Sequence, residues 1–201
     1  MKNSLIILSF FSAGIFFGFL GFSEKLPLDD ISLWILFILI FLVGLSVGFD
    51  LSAFNLIKKM KFKIVLLPIT TITGTFIGIT AVSFLFKDIS LKELLAIGSG
   101  FGYYSISSVI ISQISGSMLG VTALLSNILR EIITLLITPF LVRFIGKFAP
   151  ISCGGATSMD TTLPVITKFC GKEYSVISLF HGTVLTFLVP IIIPLILGRF
   201  N

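Results

Sequence analysis

Two adjacent charged residues lie in the middle of an apolar stretch that is long enough to cross a bilayer. The stretch covers residues 119–145 and carries Arg130 and Glu131 near its centre. A charge at membrane depth costs about 2.5–3.5 kcal/mol on insertion scales, so it is kept where it faces a protein interior or a watery path. The pair therefore predicts a polar site inside a membrane protein, with transport as the leading function.

The composition of the chain excludes an ordinary water-soluble domain. Of its 201 residues, 56% are hydrophobic and only 11% are charged, which is too little charge to cover a water-exposed surface. The net charge of +5 does not indicate nucleic-acid binding, because the lysines lie in short loops between apolar runs. We expect one polytopic membrane transport domain over residues 1–201, with no cofactor, metal site or disulfide framework.

The apolar runs predict an all-α integral membrane fold with about five full transmembrane helices, at roughly 20 residues per crossing. The predicted crossings are residues 5–22, 31–49, 64–86, 119–145 and 175–197. The densest positive cluster precedes the third crossing, and the positive-inside rule places it in the cytoplasm together with the N-terminus. The cluster consists of Lys58, Lys59, Lys61 and Lys63.

Two stretches rich in glycine and hydroxyl residues predict broken or re-entrant elements. Residues 91–112 contain AIGSGFG followed by YYSISS, and residues 153–164 read CGGATSMDTTLP. Each glycine disfavours a continuous helix by about 1 kcal/mol relative to alanine. If the first element enters and leaves on one side, further basic residues join the cytoplasmic side. These are Arg143, Lys147, Lys168 and Lys172.

Polar residues at membrane depth are the candidates for a transport site. Asn127 and Glu131 share a helix face at positions i and i+4, and Asn127 comes close to Arg130 at i+3. The alternative for these residues is a buried ion network that braces the bundle. Asp160 is either a substrate or cation ligand at an unwound helix or the N-cap of a helix that opens near Thr161.

Neutral polar groups and one histidine complete the predicted site. The neutral candidates are Ser99, Tyr103, Tyr104, Ser105, Thr157 and Ser158. His181, in the last crossing, is a candidate proton relay or a hydrogen-bonded packing residue. Paired with Ser158 or Ser99 it would also suit an intramembrane hydrolase. No GxSG motif or paired-aspartate protease motif is present, so we do not expect an enzyme.

The sequence resembles the LysO family of bacterial lysine exporters. The matching stretches are GFGYYS at 100–105, the pair Arg130-Glu131, CGGATSMD at 153–160 with TLP at 162–164, and HG at 181–182. The match covers essentially the whole chain and corresponds to the C-terminal two-thirds of longer members, which begin with an additional hydrophobic segment. We expect either a homo-oligomer or a separate small membrane subunit to supply that segment.

The resemblance implies export of L-lysine, and of close analogues, across the cytoplasmic membrane. Glu131 would then receive an ammonium group, Arg130 the carboxylate, and Asp160 the other ammonium or a coupling proton. Moving a cation out of a negative interior costs about 2.3 kcal/mol per charge per 100 mV, so an exporter working against that needs a driving ion. We expect proton antiport, with Glu131, Asp160 and His181 as the proton-coupling candidates. A passive channel for another small polar solute and a membrane scaffold or subunit of a two-chain exporter are the alternatives.

Overall fold

The described part of the chain is entirely helical, as the sequence predicts. The computed structural model describes residues 63–198 and, before them, positions 9, 12–14, 16, 17, 19, 20, 38, 41 and 45. Within these residues there is no strand, which confirms the all-α class. Along residues 63–198 the helices are α1 (Lys63–Val82), α2 (Leu91–Gly98), α3 (Tyr104–Ser115), α4 (Ser117–Phe144), α5 (Ala149–Gly154), α6 (Leu163–Cys170) and α7 (Ser175–Leu197).

Three segments of the described chain are long and apolar enough to cross a membrane. They are Ile64–Leu85, Ser117–Phe144 and Lys172–Leu197, and they confirm the last three predicted crossings. The predicted crossings at 5–22 and 31–49 lie outside the described residues, apart from the isolated positions given above. The outer face of α4 has the pattern expected of a surface that faces lipid. Four apolar residues, each four positions after the last, have at least half of their surface exposed. These side chains are Val121, Leu125, Leu129 and Ile133.

The helices α2 and α3 form a hairpin that enters and leaves the bundle at the same end. α2 begins near the C-terminal end of α7, where Lys92 lies beside Gly198. The tip of the hairpin reaches the middle of α4, where its main chain contacts Asn127. α3 then runs back along the first half of α4, because Gly120 packs against Ser112. We call this element the first hairpin.

Local sequence signals set the two ends of α2. Ser90 and Glu93 form a capping box, in which the N–H of Ser90 donates to the Glu93 carboxylate at 2.9 Å and the N–H of Glu93 donates to Ser90 Oγ at 3.3 Å. The helix stops at a glycine-rich turn in which Gly102 has φ +94°. Glycine is favoured at positive φ because it has no Cβ. The same turn forms the tip of the first hairpin.

The helices α5 and α6 form a second hairpin at the opposite end of the bundle. Ile151 of α5 and Ile166 of α6 are fully buried in a cluster with Ile64 and Ile177, which lie near the starts of α1 and α7. Val142, near the end of α4, packs against the same cluster. The second hairpin therefore starts and finishes where α4 ends, whereas the first hairpin starts and finishes where α4 begins.

The tips of the two hairpins meet in the middle of the bundle. The N–H of Ala156, in the 3-10 turn that follows α5, donates a hydrogen bond of 2.8 Å to the carbonyl of Phe101. Gly155 has φ +63°, and a Cβ at this position would overlap the carbonyl of Phe101. Both tips are non-helical backbone buried in protein, which is the condition under which such backbone is tolerated at membrane depth.

The predicted broken or re-entrant elements at residues 91–112 and 153–164 are confirmed, but the predicted helix start within the second one is wrong. Asp160 does not cap a helix, because α6 takes Thr162 as its N-cap residue. Pro164 explains the shift, since proline lacks an N–H and fits the first turn of a helix better than a later position. The carboxylate of Asp160 is therefore not committed to a helix end.

Charge is distributed unequally between the two ends of the bundle. The end where the second hairpin enters carries an excess of basic residues, and we call it the basic end. Its described residues include Lys63, Arg143, Lys147, Lys168 and Lys172. The opposite end, which we call the mixed end, carries charges that cancel. They are Lys87, Asp88, Lys92 and Glu93. This is the distribution predicted for a first hairpin that returns to the side it entered.

Candidate functional site

Two carboxylates from different elements line one cavity beside the hairpin tips. Glu131 comes from the middle of α4, and Asp160 comes from the tip of the second hairpin. The cavity has a volume of about 190 Å³, and no basic side chain of the described residues lines it. We call it the acidic cavity. Its lining residues are Gly102, Tyr103, Tyr104, Ser105, Glu131, Ala156, Thr157, Met159, Asp160, Thr161 and Thr186.

Thr161 connects the two carboxylates of the acidic cavity. Its N–H donates a hydrogen bond of 2.6 Å to Oδ1 of Asp160, and its hydroxyl lies 3.3 Å from the same oxygen. The Thr161 side chain also interacts with the carboxylate of Glu131. Thr161 thus holds the carboxylate of Asp160 and lies beside that of Glu131, which comes from α4.

The surroundings of the two carboxylates favour a cationic ligand. Glu131 and Asp160 are both partly buried, so their attraction for a cation is screened less than it would be in water. Tyr104 lies close enough to interact electrostatically with both acids. Two neighbouring acids with no basic partner among the lining residues repel each other when both are ionised. A bound cation or bound protons would neutralise that repulsion.

Arg130 lies outside the acidic cavity, although it directly precedes Glu131. Its Nε donates a hydrogen bond of 2.9 Å to the carbonyl of Cys153, and its Nη2 donates one of 3.1 Å to the carbonyl of Ser152. These carbonyls belong to the C-terminal end of α5, where a positive charge is favoured by the helix dipole. The guanidinium also lies over the ring of Phe101, 5.9 Å from its centroid. Arg130 therefore braces both hairpins.

Asn127 holds the tip of the first hairpin against α4. Its Oδ1 accepts a hydrogen bond of 2.8 Å from the N–H of Gly102. Its Nδ2 donates to the carbonyls of Ile97 and Ala123, at 3.1 and 2.9 Å. With 2% of its surface exposed, Asn127 satisfies buried main-chain groups that the break between α2 and α3 leaves without helical partners.

His181 lies behind the acidic cavity and links the second hairpin to α1. Its Nδ1 is 3.1 Å from Ser158 Oγ, and its Nε2 is 3.0 Å from Thr71 Oγ1. Ser158 Oγ also lies 2.7 Å from the carbonyl of Gly155 and 3.0 Å from that of Ser178. Ser158 has a single proton to share among these acceptors, so which partner donates in the Ser158–His181 contact depends on the tautomer of the histidine.

The Ser158–His181 pair has the spacing of a nucleophile and a base and is enclosed by the described residues. Both residues have none of their surface exposed. Ser99, the other serine considered, is buried and donates to the carbonyl of Leu95. Within the described residues, the hydroxyls of both serines thus contact main-chain carbonyls.

The structure brings six of the predicted site residues to the acidic cavity. These are Glu131, Asp160, Thr157, Tyr103, Tyr104 and Ser105. The other five predicted residues do not line it, namely Ser99, Asn127, Arg130, Ser158 and His181. Thr161 and Thr186 line it and were not selected from the sequence. The position of Thr161 next to Asp160 is the sequence feature that indicates it as a site residue. For Thr186, the corresponding feature is a hydroxyl residue within an apolar crossing.

Comparison with known proteins places this arrangement in a family. The model of the family described as lysine exporter LysO matches residues 8–197. The chain is 31% identical over 183 residues to the lysine exporter LysO of Escherichia coli, which covers 90% of this chain and 59% of that protein. It is 32% identical over 162 residues to a putative lysine exporter of Haemophilus influenzae, covering 81% of this chain and 82% of that protein.

The chain thus spans about three-fifths of the length of the Escherichia coli relative. No solved structure matches it. The family match covers most of the chain, and both relatives are more than 30% identical to it. The matched range includes both hairpins and the acidic cavity. The chain is a membrane protein that belongs to the lysine exporter LysO family.

Proposed function

We propose that this chain exports L-lysine across the cytoplasmic membrane. The observation that carries the proposal is the pair of carboxylates, Glu131 and Asp160, in one cavity with no basic side chain among its described lining residues. L-Lysine at neutral pH carries two ammonium groups and one carboxylate, so its net charge is positive. The names of the relatives, lysine exporter and putative lysine exporter, support the same solute.

In this proposal the two acids bind the ammonium groups of lysine and Thr161 orients the acids. Ammonium–carboxylate hydrogen bonds are charge-assisted and stronger than neutral ones. Tyr103, Tyr104 and Thr157 add neutral polar groups to the wall of the cavity. Arg130 acts as a positioning residue for the two hairpin tips.

We further propose that export is coupled to proton antiport at the two acids. Two carboxylates in one partly buried cavity repel each other when both are ionised, so the empty cavity favours holding a proton. A lysine cation that enters displaces that proton. Exchange of one lysine cation for one proton moves no net charge, so it avoids the cost of about 2.3 kcal/mol per charge per 100 mV. His181, which is buried outside the cavity, is the weaker coupling candidate.

The proposed orientation has the basic end in the cytoplasm. Most of the described basic residues lie at that end, in short loops where the positive-inside rule applies, whereas the described charges at the mixed end cancel. The N-terminus is then cytoplasmic as well if residues 5–22 and 31–49 both cross. Lysine would enter from the basic end and leave at the mixed end.

The test is lysine efflux from preloaded cells that lack their own exporter. One strain carries the chain alone, and a second carries it with a small membrane subunit as the partner. Efflux of lysine without efflux of norleucine is the expected result, because norleucine keeps the four-carbon side chain of lysine but lacks its ammonium group. Efflux only in the second strain would assign part of the activity to the partner. Verified membrane insertion without lysine efflux in either strain would overturn the proposal.

The same cells separate antiport from a passive channel. Antiport predicts lysine efflux against a lysine gradient when a proton gradient is present, and loss of that uphill movement when a protonophore is added. A channel would only allow lysine to equilibrate with its electrochemical gradient. Uphill efflux that survives the protonophore would contradict proton coupling and leave lysine export in place.

A further inference from the structure

A second cavity lies on the other side of the first hairpin from the acidic cavity. It has a volume of about 270 Å³ and is formed between α1, α2 and α4. Arg130 lines it near the middle of the bundle, and Val82 and Phe86 line it near the mixed end. Ser126 and Thr75 contribute hydroxyl groups to walls that are otherwise mostly apolar. We call it the arginine crevice.

The tip of the first hairpin is the partition between the two cavities. Gly98 lines the arginine crevice, whereas Gly102 and Tyr103, only a few residues later, line the acidic cavity. The helix α4 runs past both, so Arg130 and Glu131 serve different cavities because successive helix residues point about 100° apart. The arginine crevice extends from Arg130 toward the mixed end, on the other side of the hairpin tip from Glu131.

Arg130 retains hydrogen-bonding capacity beyond its structural contacts. A guanidinium carries five N–H donors, and hydrogen bonds to the carbonyls of Ser152 and Cys153 account for two of them within the described residues. A carboxylate matches the planar fork of a guanidinium and binds it strongly where water is scarce. The apolar walls of the crevice supply such a setting.

We infer that the arginine crevice is a second solute subsite, which binds the carboxylate of the amino acid after it leaves the acidic cavity. This inference rests on the proposed function. The two subsites recognise opposite ends of one zwitterion, with ammonium groups at Glu131 and Asp160 and the carboxylate at Arg130. Because the hairpin tip separates them, they are occupied in sequence, and the crevice faces the end at which the solute departs.

The test is protection of single cysteines from a membrane-impermeant thiol reagent. The background is the chain with Cys153→Ala and Cys170→Ala, verified to retain lysine efflux. Ser126→Cys reports on the arginine crevice, and Ser105→Cys, an exposed residue of the acidic cavity, reports on the acids. Asp88→Cys, in the loop at the mixed end, is the control outside both cavities. The solutes are L-lysine, 6-aminohexanoate, which keeps one ammonium and the carboxylate, and cadaverine, which lacks the carboxylate.

The expected result is a different pattern at each position. At ten times its Kd, a bound solute slows labelling about tenfold, because the free fraction falls as 1/(1 + [L]/Kd). L-Lysine and 6-aminohexanoate should protect Ser126→Cys, and cadaverine should not. L-Lysine and cadaverine should both protect Ser105→Cys, and no solute should protect Asp88→Cys.

Two other outcomes separate the subsite from the proposed function. Protection of Ser105→Cys by lysine with no protection of Ser126→Cys would overturn the subsite and leave lysine export intact. Equal protection of Ser126→Cys by cadaverine and by lysine would also overturn it, since the carboxylate would then contribute nothing. Absence of protection at both positions, together with absent lysine efflux, would instead count against the proposed function.

Discussion

The N–H of Ala156 donates a hydrogen bond of 2.8 Å to the carbonyl of Phe101, and this bond joins the tips of two hairpins that enter the bundle from opposite ends. Phe101 itself has φ +45°, in the left-handed region that residues other than glycine rarely occupy. Strained backbone of this kind is found where the surroundings determine it fully. The junction of the two tips therefore fixes the backbone that leads to Asp160, which shares the acidic cavity with Glu131 of α4.

Gly155→Ala should disrupt the junction of the tips. A Cβ at Gly155 would overlap the carbonyl of Phe101, and φ +63° is unfavourable for alanine. We expect a loss of about 1–3 kcal/mol in stability from overpacking, measured as a lower unfolding temperature in detergent, together with reduced efflux. Gly146→Ala is the matched control, because Gly146 also has positive φ but a Cβ there meets nothing within 4 Å of the described residues. If both changes lowered the unfolding temperature equally, the loss would come from the backbone conformation, and the contact with the Phe101 carbonyl would contribute nothing.

Asn127→Ala should loosen the first hairpin. The change leaves the N–H of Gly102 without its acceptor, and a buried unpaired donor costs about 1–3 kcal/mol. We expect faster hydrogen exchange at the tip and a lower unfolding temperature. Ser126→Ala, at the neighbouring exposed position, is the control and should leave both unchanged. Unaltered exchange at Gly102 in Asn127→Ala would contradict the role of this side chain as a brace.

His181→Gln should retain the pH profile of lysine efflux, because His181 lies outside the acidic cavity and both its ring nitrogens hydrogen-bond to hydroxyls. Glutamine offers a donor and an acceptor that preserve part of the link to Ser158 and Thr71. Asp160→Asn should alter the profile, since it removes one of the two proposed proton sites. A flattened pH profile in His181→Gln with normal expression would instead assign the coupling proton to the histidine.

The Cys170 thiol should react slowly in the folded protein. Burial raises its pKa to about 11, and the thiolate is the reactive form. Below the pKa, alkylation should therefore accelerate about tenfold for each unit by which the pH is raised, because the thiolate fraction rises tenfold per unit. Mass spectrometry after timed maleimide treatment measures it, with the denatured chain as the control. Rapid alkylation of the folded chain near pH 7 would contradict the burial of Cys170.

Sequence reasoning identified the elements of the site because their signals are local. The glycines and hydroxyls of residues 91–112 and 153–164 disfavour continuous helices wherever they occur, and charges at positions 130, 131 and 160 are costly in any membrane segment. The meeting of the two tips depends on contacts between residues more than 50 positions apart, such as Phe101 and Ala156, and no local pattern specifies these.

The roles of individual residues were harder to predict for the same reason. In a sequence, an arginine beside a glutamate is equally consistent with binding a solute and with bracing a neighbouring element. The structure shows the contacts that Arg130 makes, which are hydrogen bonds to the carbonyls of Ser152 and Cys153. The start of α6 was predicted near Thr161, with Asp160 as its N-cap, because the capping signal of Asp160 is strong, although Pro164 favours a start at Leu163. Thr161 gains its importance from the position of Glu131, which lies on another helix.

Equilibrium binding of L-lysine to the purified chain in nanodiscs, measured by isothermal titration calorimetry, tests most directly whether the two acids form the lysine site. A charge-assisted hydrogen bond contributes about 1.5–3 kcal/mol, so Glu131→Gln and Asp160→Asn should each weaken binding by about ten- to a hundredfold. Glu173→Gln, which removes an acid that pairs with Lys147 at 3.6 Å outside the cavity, should leave the affinity unchanged. Lysine binding of equal affinity in all four proteins would contradict the assignment of the acidic cavity as the lysine site.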